Sequence, residues 1–159
     1  MIQLEALTLG YGQQILLDHV SANLDGGGLI ALLGRNGSGK STLLRATAGL
    51  GTIKSGRILL AGKDLAELRP EELARTVSFV TTEKVRIPNL KCRDVVALGR
   101  APYTNWVGRL QPQDREIVAK SLALLDMSAY AERTMDQMSD GECQRIMIAR
   151  ALAQDTPIT

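Results

Sequence analysis

Gly34-Arg35-Asn36-Gly37-Ser38-Gly39-Lys40-Ser41 matches the pattern G-x-x-x-x-G-K-[ST], in which a glycine-rich loop cradles phosphates. The apolar run Leu29-Ile30-Ala31-Leu32-Leu33 precedes it and reads as a strand, and Ser41 to Ala48 follows as a helix. Strand, loop and helix stand in the order this chemistry requires. A glycine turn that binds nothing is the bland alternative, and the flanking elements favour nucleotide binding over it.

The physical reason lies in the charge of a triphosphate. A loop of successive backbone N–H groups ending at a helix N-terminus presents donors and the positive end of a dipole together. Gly34, Gly37 and Gly39 can bring the backbone close to the phosphates, where a Cβ would obstruct. The candidate nucleotide-binding residues are therefore Gly34, Arg35, Asn36, Gly37, Ser38, Gly39, Lys40, Ser41 and Thr42. Lys40 is expected to reach the β- and γ-phosphates, and the Ser41 hydroxyl to join the shell of a Mg²⁺ ion.

A length of 159 residues suits the core of one ordinary domain. A net charge of +2 with 23% charged residues is too balanced for a chain that coats nucleic acid, and 3% aromatic residues argue against a base-stacking platform. No nucleic-acid partner is expected. Met1-Ile2-Gln3-Leu4-Glu5 lacks a basic segment ahead of an apolar core, and no apolar run approaches the roughly 20 residues of a membrane span, so a cytoplasmic location is expected. Cys92 and Cys143 lie far apart without zinc-type pairing and are read as reduced thiols. His19 sits in a strand-like run and is read as structural.

Strands are predicted over residues 2–9, 15–24, 29–33, 56–62 and 77–80, with glycine turns between the early ones. A helix is expected from Pro70 to Arg75, opening with proline and acids. From about Thr81 the chain turns helical. Val118, Leu122 and Leu125 form an apolar stripe on a helix over 113–127, and Ile148 and Leu152 mark another over 142–154. The domain reading is a nucleotide-binding core at 1–82, a helical subdomain at 83–153, and the start of a return to the core at 154–159.

Met138-Ser139-Asp140-Gly141-Glu142, continuing through Gln144-Arg145 to Ala149-Arg150-Ala151-Leu152, resembles the signature of the ABC-transporter ATPases. The resemblance covers essentially the whole chain. It implies an α/β P-loop NTPase core with an inserted α-helical subdomain, ATP and Mg²⁺ as cofactors, a second ABC ATPase subunit as homodimer partner, and transmembrane permease subunits that hold the protein at the inner face of the membrane. In the family the signature faces the ATP of the partner subunit, which assigns that role here to Ser139, Asp140, Gly141 and Glu142. Ser139-x-x-Glu142 is also a capping box, so a helix cap and an anion site coincide. Tyr11 reads by itself as a strand-end aromatic, and the resemblance assigns it to adenine stacking. Residues 91–122 resemble the importers of iron–siderophore, haem and cobalamin complexes, which would place Arg86 to Trp106 near the permease.

Two departures qualify the resemblance. Thr81, Thr82 and Glu83 stand where the family has a glutamine that contacts Mg²⁺ and the attacking water, leaving Thr82 as a candidate metal contact. Asp140 replaces the first signature glycine. The family continues beyond the point equivalent to Thr159 with a strand ending in Asp-Glu and then a histidine, so no residue in 1–159 is assigned as catalytic base and the final core strands are missing. The chain is read as a fragment of an importer ATPase. A non-hydrolysing nucleotide-binding module and a soluble ABC ATPase without a permease are the rival readings.

Overall fold

A computed structural model describes residues 1–81, 83, 88–104 and 107–159. The chain divides into two compact units, Met1–Thr76 and Val77–Thr159.

The first unit is built on β1 (Ile2–Tyr11), β2 (Gln14–Leu24), β3 (Ile53–Leu60) and β4 (Lys63–Asp64), in the order β2-β1-β3-β4. Every pairing in the sheet is antiparallel. The buried face of β1 carries Leu4, Leu7 and Leu9, a spacing that breaks strict alternation. The break is a bulge at Ala6, whose φ is 44°, and it coincides with register shifts against both neighbours. Side-chain hydroxyls take up backbone donors beside these irregularities. Ala6 N–H donates to Ser21 Oγ at 2.9 Å, and the N–H of His19 (φ 50°) donates to Thr8 Oγ1 at 3.2 Å. His19 itself is exposed and pairs through Nδ1 with Asp18 at 2.7 Å.

Opposite Ala6 stands Gly56, with φ 79°, where a Cβ would come within 2.3 Å of the Ala6 carbonyl oxygen. Gly56 therefore lies inside β3, at the bulge, and not at the boundary of a strand over 56–62. The helices of this unit are α1 (Lys40–Thr47) and the short α2 (Pro70–Ala74), the latter opening on proline as expected. Ala46 and Ala48 join Leu4, Leu7, Leu9, Ile58 and Leu60 among the buried apolar residues.

Residues 29–33 do not form the predicted strand. Leu29 is 100% exposed and Leu33 88% exposed. Apolar composition suits a buried strand, but a strand also needs a neighbour to accept its ladder hydrogen bonds, and no β-bridge reaches this run among the described residues.

The second unit is helical: α3 (Cys92–Ala97), running into a 3-10 helix (Leu98–Tyr103), α4 (Pro112–Leu124) and α5 (Asp140–Ala153). These elements pack on one another around a core rich in sulfur, with Cys92, Met127, Met135, Met138, Cys143 and Met147 beside Val95, Val96, Val118, Leu122 and Ile146. Val118 and Leu122 are the buried stripe expected of α4, with Leu125 packed against it. On α5 the expected stripe is not the buried one. Cys143, Ile146, Met147, Ala149 and Ala153 face the core, while Leu152 is 36% exposed. Small and thioether side chains fill this interface, and a search for branched aliphatics passes over them.

The strand predicted over 77–80 reduces to one parallel bridge, Val77 with Ile158, closed by Ser78 N–H donating to Ile158 O at 2.9 Å. A single bridge supplies no ladder, so the segment stays irregular. Residues 90–92 and 133–135 are tied by one antiparallel bridge, Lys91 with Thr134, through Cys92 N–H to Arg133 O and Met135 N–H to Leu90 O. That tie leads directly to Ser139.

Candidate nucleotide-binding site

The phosphate-loop candidates lie on one continuous loop and the first turn of α1. Gly39 precedes the helix with φ 88° and no side chain caps it, while Leu43 N–H makes the first helical bond, to Gly39 O at 2.8 Å. The N–H groups of Lys40, Ser41 and Thr42 thus precede the helical ladder and point out of its positive end. Gly37 has φ 79°, and Ser38 N–H closes the turn onto Arg35 O at 3.2 Å. A Cβ on Gly34 would meet Ser38 Oγ at 2.9 Å, and one on Gly39 would meet Leu17 of β2 at 3.2 Å. Glycine is what lets the loop close on itself and lie against β2.

Lys40 folds over this loop. Its Nζ donates to Gly34 O at 2.8 Å and Arg35 O at 2.7 Å. The ammonium therefore sits at the loop mouth, beside the uncapped helix start, where an anion gains from both. Ser41 is exposed at the second position of α1. Among the described residues no cluster of three His, Cys, Asp or Glu could hold a metal alone. The donor set suits a Mg²⁺ that takes one oxygen from Ser41 and the rest from phosphate and water.

Tyr11 ends β1, 64% exposed, where it pairs with Gln14 across the Gly12 turn. The hairpin is tight. A Cβ on Gly10 would stand 2.0 Å from Gln14 O, and Gly12 takes φ 53°. Thr82 lies outside the described residues, as do Arg86 and Trp106 of the segment expected near a permease. Of the neighbours of Thr82, Thr81 accepts the Glu83 N–H at 3.1 Å through its hydroxyl.

In the second unit, Ser139 caps α5. Its Oγ accepts from Glu142 N–H at 3.3 Å, and Glu142 Oε2 accepts from Ser139 N–H and from Ser139 Oγ, both at 2.7 Å. The Ser139 hydroxyl, with the backbone N–H second, holds the Glu142 carboxyl below its ordinary value. Asp140 and Gly141 are exposed in the first turn, and no Cβ on Gly141 would meet a neighbour. Asp140 thus complements the helix dipole at that end.

The opposite end of α5 carries a group of residues that sequence reading passed over. Arg100 and Asp114 form a buried pair, Nε to Oδ1 at 2.9 Å, with side chains 7% and 6% exposed. Arg100 Nη1 also donates to Ala153 O at 2.9 Å, and the guanidinium lies 4.0 Å from the Tyr103 ring centroid. Tyr103 OH donates to Asp155 O at 3.3 Å. Gly99 approaches so closely that a Cβ would stand 2.3 Å from Arg150 O. The 3-10 helix therefore bonds two backbone carbonyls where α5 ends and lies close against a third. Burial disfavours the Asp114 charge, but the Gln111 N–H and Arg100 outweigh it and hold the carboxyl below its ordinary value. The adjacent glycine and arginine were the available signal.

The ABC transporter family profile matches residues 17–159. The chain belongs to the ABC transporter family. It is 39% identical over 158 residues to an uncharacterized ABC transporter ATP-binding protein of Methanocaldococcus jannaschii, covering 99% of this chain and 54% of that protein. It is 31% identical over 154 residues to the iron(3+)-hydroxamate import ATP-binding protein FhuC of Bacillus subtilis, covering 97% of this chain and 57% of that one. Among solved structures it is similar, with a TM-score of 0.83 and 27% identity, to the dimeric ATP-binding cassette MJ0796 in a post-hydrolysis state bound to ADP and Pi, covering 99% of this chain and 72% of that one. The chain spans little more than half the length of these curated relatives. An α/β cassette with a P-loop NTPase phosphate loop is thus its fold.

Proposed function

We propose that the protein binds ATP and Mg²⁺ as the ATP-binding subunit of an importer and couples ATP hydrolysis to uptake of an iron complex. The observation that carries this reading is the phosphate loop, an uncapped helix start under the Lys40 ammonium. Arg35, Asn36, Gly37, Ser38 and Gly39 wrap the phosphates, Ser41 contributes one oxygen to the metal, and Tyr11 stacks on adenine. Ser139, Asp140, Gly141 and Glu142 face the nucleotide of a second copy. Iron-complex import is favoured by likeness to the B. subtilis protein, which is named for iron(3+)-hydroxamate.

No helix among the described residues is long and apolar enough to cross a membrane, so transport on this reading takes place in permease subunits that hold the protein at the inner face. The test is uptake of a labelled iron–hydroxamate in cells lacking the gene. Restoration by the complete gene and failure of Lys40→Met to restore it are the expected results. Full uptake with Lys40→Met, or normal uptake without the gene, would sink the proposal.

A further inference from the structure

Tyr11 is more than half exposed, so its orientation depends on the turn that carries it and little on core packing. Two features bring the strands of this turn together from within the hairpin: the close approach of Gly10 to Gln14 and the positive φ of Gly12. A third reaches it from outside. Lys54, on β3, extends its ammonium to the carbonyl oxygen of Gly12, the residue after Tyr11. The contact joins positions 42 apart in sequence, and Lys54 stands on β3 at the register shift against Thr8 and Leu9 of β1. A charged donor on a turn carbonyl holds the Gly12–Gln13 peptide plane in one orientation, and that plane meets the Tyr11–Gly12 peptide at the Gly12 Cα.

We infer that Lys54 is a positioning residue for base recognition, fixing the Gly12 turn so that the Tyr11 ring is presented to adenine. This rests on the proposed stacking role of Tyr11. Phosphate binding, which belongs to the loop at Gly34 to Ser41, does not depend on it.

The experiment titrates the full chain with Mg·ATP and, separately, with inorganic tripolyphosphate, by calorimetry. Lys54→Met is expected to weaken ATP about fivefold, the worth of one hydrogen bond, and to leave tripolyphosphate unchanged. Lys54→Arg, which retains a donor of similar reach, should recover most of the loss. In a Tyr11→Ala background, Lys54→Met should cost nothing further. Equal weakening of tripolyphosphate would overturn the inference, because Lys54 would then act as a charge on the phosphates. An effect of Tyr11→Ala without one of Lys54→Met would overturn it and leave stacking intact. If neither substitution affects ATP, the stacking role fails as well.

Discussion

Ser139 serves the fold and, on the proposed function, the nucleotide, and the two uses can be separated by titration. Its hydroxyl is the first cause of the low position of the Glu142 carboxyl. A depressed folded value means that the cap contributes stability above the ordinary carboxylate range and loses it as pH falls through the folded value. Ser139→Ala should move the Glu142 titration back toward an ordinary glutamate, seen by NMR of its side-chain carboxyl. An unmoved titration would show that the backbone N–H, with Tyr130 and Arg145, sets it without the hydroxyl. Lys40 shows a similar economy. Its ammonium bonds two loop carbonyls at an exposed site, so it shapes the loop while adding little to stability.

At the scale of elements, the grip of Leu98–Tyr103 on the end of α5 makes a sharp prediction. Arg100→Met leaves Asp114 buried without its partner and should cost about 3–5 kcal/mol in denaturant unfolding. Adding Asp114→Leu should recover only part of that loss, because it removes the unpaired charge but also the carboxylate that caps the Gln111 N–H. If the single variant unfolds like the parent, the pair holds nothing. Leu29→Ser should change stability by no more than about 0.5 kcal/mol, since the side chain is already 100% exposed; a larger loss would mean that residues 29–33 are buried in solution. These two cases show where sequence was readable. The phosphate loop, the capping box and the α4 stripe follow from local spacing, and they stand where the spacing puts them. Residues 29–33 and 77–80 depend on partners far away in the chain, which apolar composition cannot supply. The Ala6 bulge and its Gly56 counterpart were hidden for the same reason, as neither means anything until β1 and β3 are side by side.

For the molecule as a whole, the proposed function makes the signature useful only when two copies meet. Self-association should therefore require nucleotide. Sedimentation of the complete protein with Mg·ATP, under conditions that block turnover, is expected to show a dimer that disappears with ADP and with Lys40→Met. A dimer of equal strength without nucleotide would separate association from ATP and remove the reason for a signature.

The sulfur-rich core of the helical unit also makes it a reporter of its own opening. Cys92 and Cys143 are both buried thiols outside any disulfide, and burial, with the neighbouring Cys143 adding to it, pushes the Cys92 thiol up. A maleimide dye added to the folded chain should find little thiolate to attack, while each excursion that parts α3 from α5 uncovers a reactive sulfur. The rate of dye uptake then measures how often the helices separate. A cysteine introduced on the exposed surface would be labelled against a nearly silent background.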